Sequence, residues 1–256
     1  MDMDKLLQST QYDHSRQVAR ISTLLARLAG YTPAETETIG QAALFHDIGK
    51  TAIPTAILNK PGALTQEEYA VVKTHTAIGQ ERLSQAVQTL AAAIIVAQQH
   101  HERLDGSGYL RMEDKDIHPY AKLIAVADVF DALVSRRSYK EPWGIDRTGA
   151  YLQDLAGVQF ECRIVALLLS NMDQVLALYG PEKNVSANKC VSFLKYAPIR
   201  KYRGDLNAIT RGTIHRPLAD PIRGAGQDPG GADAAGQAAP NGGENHPQPE
   251  AGADGL

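Results

Sequence analysis

Cysteine is almost missing from this chain. Cys162 and Cys190 are the only two, with no CxxC spacing. That argues against a disulfide framework and fits two free thiols in a reducing cytoplasm. An excess of positive charge is missing as well. The formal net charge is -3, whereas a binder of long nucleic acids usually carries a strong basic patch. A small anionic ligand, met by a few local cations, is still compatible with that balance. The amino terminus, Met1-Asp2-Met3-Asp4-Lys5, is acidic and has no apolar leader core. The longest apolar run, from Leu90 to Ala97, is far too short to span a bilayer. No stretch alternates apolar and polar residues with period two, and no internal repeat is present. Together these absences predict a soluble, cytoplasmic, nearly all-helical protein without a membrane or a long nucleic acid among its partners.

What is present is helical periodicity. His14, Val18, Ile21, Leu25 and Leu28 step by four, three, four and three, which predicts a helix over about 10–28. Gly30 and Pro33 stop it. Thr32-Pro33-Ala34-Glu35 combines a capping box with proline in the first turn. The helix it opens carries Ile39, Ala42, Ala43 and His46 on its inner face and is expected to end at Gly49. A short turn is predicted at 55–58. A second capping box, Thr65-Gln66-Glu67-Glu68, opens a helix in which Val72 and His75 share a face. From about Gln85, Val87, Leu90, Ile94, Ala97 and His101 form one stripe, with His100 beside it. Asp105-Gly106-Ser107-Gly108 reads as a loop. Pro119 starts a helix whose Ile124, Asp128 and Asp131 face one way, and amphipathic stretches follow at about 146–155 and 161–179. The periodicity then fades. Residues 181–222 form a basic, weakly structured extension containing Lys195, Arg200, Lys201 and Arg203. Residues 223–256 are rich in Gly, Ala and Pro with few large apolar side chains, which predicts a disordered tail.

The polar residues on those apolar stripes carry the functional signal. A single histidine on such a stripe is ordinarily a hydrogen-bonded core residue. Here His14, His46, His75, His100 and His101 are joined by Asp47 and Asp128, all at positions that point inward. Burying so many ionisable groups without partners would be costly, and metal coordination removes the difficulty. Imidazole with carboxylate suits manganese, iron or zinc better than calcium or magnesium. Lys50, one turn beyond His46, is placed to meet a phosphate held by metals, or is a solvated lysine. Arg137 and Lys140 follow the Asp128 helix and would suit a second phosphate clamp. Glu102 and Asp105 either orient histidines from outside or are ordinary loop residues.

In this order, His14, His46-Asp47-Ile48-Gly49-Lys50, His75, His100-His101-Glu102-Arg103-Leu104-Asp105-Gly106-Ser107-Gly108-Tyr109 and Ala127-Asp128-Val129-Phe130-Asp131 resemble the HD-GYP family. These are bacterial phosphodiesterases of the HD superfamily that act on the second messenger cyclic di-GMP. The likeness covers about residues 8–175, and Gln159-Phe160 resembles the family's helix start near the end of the domain. It implies an all-α HD-domain bundle over 8–180, built around a binuclear metal site. By it, His14, His46, Asp47 and Asp128 would hold one ion, and Asp47, His75, His100 and His101 the other, with iron or manganese favoured. Asp131 would support the ligands from behind. Asp47 and Lys50 would be the catalytic residues. Lys50, Gly108, Tyr109, Arg137 and Lys140 would meet the substrate. The implied reaction is hydrolysis of cyclic di-GMP to pGpG, and on to GMP, by attack of a hydroxide held between the ions.

The chain departs from the family pattern in several places. Leu110 stands where proline is usual, which predicts a less rigid loop, and Ser138 replaces the proline after Arg137. The 110–119 segment is short and lacks the usual glycine. Thr10 occupies the position at which some members carry a glutamate for a third metal, so two ions are expected. Members often carry an upstream receiver or sensor domain, for which these residues leave no room. Two other readings stand beside the first. One is a phosphohydrolase for another cyclic dinucleotide or a nucleotide; the other is a nucleotide-binding or interaction module with little turnover. A homodimer or a signalling protein completes the expected partners.

Overall fold

A computed structural model describes residues 10–86, 91–136 and 141–179. Within them lie helices α1 (Thr10–Leu28), α2 (Pro33–Leu44), α3 (Thr55–Leu58), α4 (Gln66–Lys73), α5 (His75–Ser84), α6 (Ala91–Gln99), α7 (Pro119–Val134), α8 (Ile145–Leu155), α9 (Cys162–Ser170) and α10 (Met172–Ala177). Two short 3-10 turns, Ile48–Ala52 and Asp114–Asp116, join them. The sole extended pairing among the described residues is an isolated bridge between Ala156 and Phe160. The all-helical expectation therefore holds. No helix there is long and apolar enough to cross a membrane. The 181–222 extension, the 223–256 tail and Cys190 lie outside the described residues, as do Val87 and Leu90 of the predicted stripe.

α7 is apolar on almost every side, and such a helix must be enclosed. Leu123, Ile124, Val126, Phe130 and Leu133 are all buried on it. α1 supplies one wall through Val18, Ile21 and Leu25, and packs on both α2 and α7. α6 meets α2, α5 and α7, while α8 and α9 close the remaining side. Each large side chain enclosed in this way stabilises the fold by about 1.5–3 kcal/mol. This packing leaves the positions of Asp128 and Asp131 facing inward among apolar neighbours.

The helix starts follow the expected chemistry. Thr32 and Thr65 each accept from the amide three residues on, and Glu35 and Glu68 reach back to the capping residues' own amides. Pro119 begins α7, with the His118 side chain accepting from the Tyr120 amide. Several helix ends differ from expectation. α2 stops at Leu44 rather than Gly49, because the His46 Nδ1–H donates to the Ala43 carbonyl (2.6 Å) and the chain tightens into the 3-10 turn. α4 and α5 are separate helices divided at Thr74, whose hydroxyl takes the Val71 carbonyl. α6 ends at Gln99, so His101 lies beyond the helix and not on its stripe. The 161–179 stretch is divided at Asn171 into α9 and α10.

Candidate metal centre

One local device aims three of the histidines. His46, His75 and His100 each lie just past the carboxyl end of a helix, α2, α4 and α6 in turn, and His75 also opens α5. Their Nδ1 atoms stand 2.6, 2.7 and 3.0 Å from the carbonyl oxygens of Ala43, Val72 and Val96. A carbonyl only accepts, so Nδ1 must carry the proton, and the lone pair is left on Nε2. Each of these carbonyls thereby gains a second donor besides the backbone amide that already reaches it. The ring in turn gains a fixed tautomer pointing inward. His14 arrives differently, from the first turns of α1. Its Nδ1 lies 2.6 Å from Asp131 Oδ2, and its Nε2 lies 2.9 Å from Asp128 Oδ1.

Asp47 sits between the two halves of the cluster with its carboxylate divided between them. Oδ2 is 3.2 Å from His46 Nε2 and 4.0 Å from His14 Nε2. Oδ1 is 3.3 Å from His75 Nε2 and 3.5 Å from His100 Nε2. Ligand atoms of Asp47, His75, His100 and His101 lie within 4.8 Å of one another, as do those of His14, His46 and Asp128. The structure thus brings together all seven residues singled out by sequence.

Without a cation this arrangement is unfavourable. The Nε2 atoms of His75 and His100 face each other at 3.4 Å, although each carries a lone pair once Nδ1 is protonated. Among the described residues, the buried His46 Nε2 and Asp47 Oδ1 have no hydrogen-bond partner. These groups fit metal ions, which accept lone pairs where hydrogen bonds cannot. The electrostatics agree. Burial would raise the Asp47 carboxyl, but the Lys50 ammonium and His46 hold it well below the usual carboxylate range. Burial likewise opposes ionisation of Asp128, and the neighbouring His14 and His46 together hold its carboxyl well below the usual range. Burial lowers His100 to about 4, against the pull of Asp47, and pushes His101 well down with help from His100 and His75. Both imidazoles are neutral at pH 7, the form that ligates metal.

The other predicted residues divide. Lys50 is no solvated lysine: it is 6% exposed, and its Nζ bonds Asp47 Oδ2 at 2.8 Å. Asp131 stands behind His14, with Oδ2 at 2.6 Å from Nδ1. Glu102 does not orient a histidine; its two oxygens accept from the Leu110 amide (2.7 Å) and the Met112 amide (3.0 Å), spanning Arg111 in the left-handed region at φ 56. Asp105 accepts from its own loop, at Ser107. Leu110 does not loosen the loop in the way its replacement of proline suggests, since proline has no amide to give Glu102. Gly108 is buried where a Cβ would lie 2.5 Å from the Glu102 Cα, so close packing rather than open contact accounts for it. Tyr109 stacks on His101 with ring centroids 4.5 Å apart. Arg137 and Lys140 lie outside the described residues. Sequence reasoning missed Tyr69, whose ring meets Tyr109 edge-on at 6.0 Å and has the Lys73 ammonium 5.1 Å from its centroid. A tyrosine on an amphipathic helix gives no sign of this.

Residues 3–164 match the family described as HD domain. The chain is 40% identical over 167 residues to a 3'3'-cGAMP-specific phosphodiesterase 2 of Vibrio cholerae, covering 64% of this chain and 32% of that protein. It is also 40% identical over 173 residues to the cyclic di-GMP phosphodiesterase response regulator RpfG of Xanthomonas campestris, covering 67% and 46%. It therefore spans from 32% to 46% of the length of these relatives. Among solved structures, an HDG"Y"P protein from Bdellovibrio bacteriovorus shares the fold with a TM-score of 0.54 at 23% identity, covering 64% of this chain and 53% of the other.

Proposed function

The chain belongs to the HD domain family, and from that premise we propose that it is a metal-dependent phosphodiesterase of cyclic dinucleotides, with cyclic di-GMP as substrate. The observation that carries this reading is Asp47, whose two oxygens address two separate sets of ligand atoms. His14, His46, Asp47 and Asp128 would hold one ion, and Asp47, His75, His100 and His101 the other. The mixed imidazole and carboxylate donor set suits iron or manganese. When bound, such a pair supplies Lewis acidity toward phosphoryl oxygens and makes water a nucleophile at neutral pH.

The chain's own residues do the rest. Nδ1–H bonds to backbone carbonyls keep three imidazoles in the metal-binding tautomer. The Lys50 ammonium offsets charge on Asp47 and on the phosphoryl group during transfer. Tyr109, stacked on His101 and flanked by Tyr69, forms an aromatic wall for a guanine base. Arg137 and Lys140 are proposed as further phosphate contacts. The water oxygen bonds to phosphorus as the P–O3′ bond breaks, and the leaving oxygen takes up a proton. Cyclic di-GMP gives linear pGpG, and a second hydrolysis gives GMP.

A second substrate, 3'3'-cGAMP, is favoured by one specific finding: a relative named for that activity is as similar as one named for cyclic di-GMP. Manganese- and iron-loaded protein assayed on cyclic di-GMP, 3'3'-cGAMP and a nucleoside monophosphate separates the readings. Faster cleavage of cyclic di-GMP, with two ions per chain by elemental analysis, is the expected result. Binding of both dinucleotides without cleavage would overturn the enzyme reading in favour of an interaction module.

A further inference from the structure

We propose that Tyr179, at the end of the last described helical segment, is a positioning residue for the His14 half of the metal centre, acting through Asp131. The inference rests on the metal-centre reading above. His46, His75 and His100 fix their own tautomers with a carbonyl three or four residues back. His14 has no such means: it lies inside α1, and its Nδ1 turns to a residue 117 positions away. Its orientation therefore depends on how firmly Asp131 is held.

Asp131 is held from behind. It is 1% exposed, and its Oδ2 faces His14 while its Oδ1 accepts from the Tyr179 hydroxyl at 2.8 Å and the Ser135 hydroxyl at 2.8 Å. With both oxygens engaged the carboxylate cannot rotate away from His14. The Tyr179 and Ser135 hydroxyls thus hold Oδ1 in place while Oδ2 stays on His14 Nδ1. The His14 ring is thereby turned so that Nε2 faces the space beside Asp128 and Asp47. Tyr179 is 6% exposed, and its ring packs at an angle to Phe130 on α7. Removing the hydroxyl alone therefore leaves the ring's packing in place. In the sequence this tyrosine only closes the amphipathic stretch at 161–179, and nothing in its spacing points to Asp131.

The test is a calorimetric titration of manganese(II) into the metal-free full-length chain, using wild type, Tyr179→Phe, Ser135→Ala, Asp131→Asn and Tyr179→Phe with Asp131→Asn. Wild type is expected to show two binding events. Tyr179→Phe should weaken one of them by about tenfold, the low end for partners behind a metal ligand, and leave the other unchanged. Ser135→Ala should weaken the same event. Asp131→Asn should weaken it further, and in that background Tyr179→Phe should add nothing. Thermal unfolding of the metal-free variants should remain close to wild type. Unchanged affinities in both hydroxyl variants would overturn the proposal. So would equal weakening of both events with a matching loss of metal-free stability, which would make Tyr179 a packing residue only. Absence of manganese binding by wild type would overturn the metal centre itself, and the proposal with it.

Discussion

At Gly49 the packing of the centre leaves no room for a side chain. A Cβ there would stand 1.9 Å from the His75 carbonyl oxygen and 2.7 Å from the Gly79 amide nitrogen. Both are backbone atoms, so relief requires moving the 3-10 turn away from α5, and with it Asp47 away from His75. Gly49→Ala is expected to cost about 1–3 kcal/mol, as overpacking does, and to lower metal content. Gly79→Ala is the control: its nearest contacts are at 3.4 Å, and alanine suits a helix interior better than glycine by roughly 0.5–1 kcal/mol. Urea unfolding of the two variants should separate them, with Gly79→Ala at or slightly above wild type. If Gly49→Ala were equally benign, the close approach of turn and helix would not be real. Lys50 poses a different question at the same scale. Its ammonium lies on Asp47 Oδ2, buried beside the ligand atoms. Lys50→Met keeps most of the volume and removes the charge. A fall in kcat of about 10²–10³, with both ions retained, is expected for loss of one electrostatic contact in an enclosed site. Near-normal kcat with full metal occupancy would leave Lys50 no role beyond balancing Asp47.

At the level of elements, the caps are the features most legible in the sequence. Thr32 and Glu35 place the start of α2, and Thr65 and Glu68 that of α4, because a capping box satisfies backbone groups within its own four residues. Thr32→Ala should accordingly cost about 1 kcal/mol, read as a lower urea midpoint with an unchanged slope and unchanged metal content. A change in metal content would mean that the cap also sets the position of His46 at the other end of the helix. The ends nearest the centre are much less legible. α2 stops before His46, α4 breaks before His75 and α6 stops before His100. In each case an imidazole takes a carbonyl near the helix end, and only the three-dimensional position of the opposite ligands makes that bond worth forming. Gly49 looks like a helix terminator by type, yet it is selected by contact with α5. The ligand set itself is legible, since ionisable residues gathered on apolar stripes are costly to bury unless a bound ion takes their lone pairs. The supports are not: Glu102 buttresses loop amides and Tyr179 braces Asp131 through contacts that no spacing rule encodes.

Across the whole molecule the centre acts as a fastening. Its seven side chains come from α1, the turn after α2, the start of α5, the end of α6 and α7, so almost every packed layer contributes to it. In the metal-free state these layers meet over a buried carboxylate and facing imidazole lone pairs, and that local repulsion lowers the stability of the fold. An ion that binds the folded arrangement and not the unfolded chain stabilises by mass action, about 4 kcal/mol at a thousand times Kd. For a domain of this size roughly 2–4 °C accompanies each kcal/mol. Adding manganese(II) to chelator-treated protein should therefore raise Tm by about 10 °C. Asp47→Ala, which removes a ligand from both groups, should lose most of that rise, whereas Thr32→Ala should melt lower yet keep it in full. The contrast distinguishes metal linkage from general fragility, because a merely weakened fold would shift with and without the ion by the same amount. If saturating manganese and iron both left Tm unchanged in wild type, the cluster would be holding its charges by hydrogen bonds alone, and the phosphodiesterase reading would fall with it.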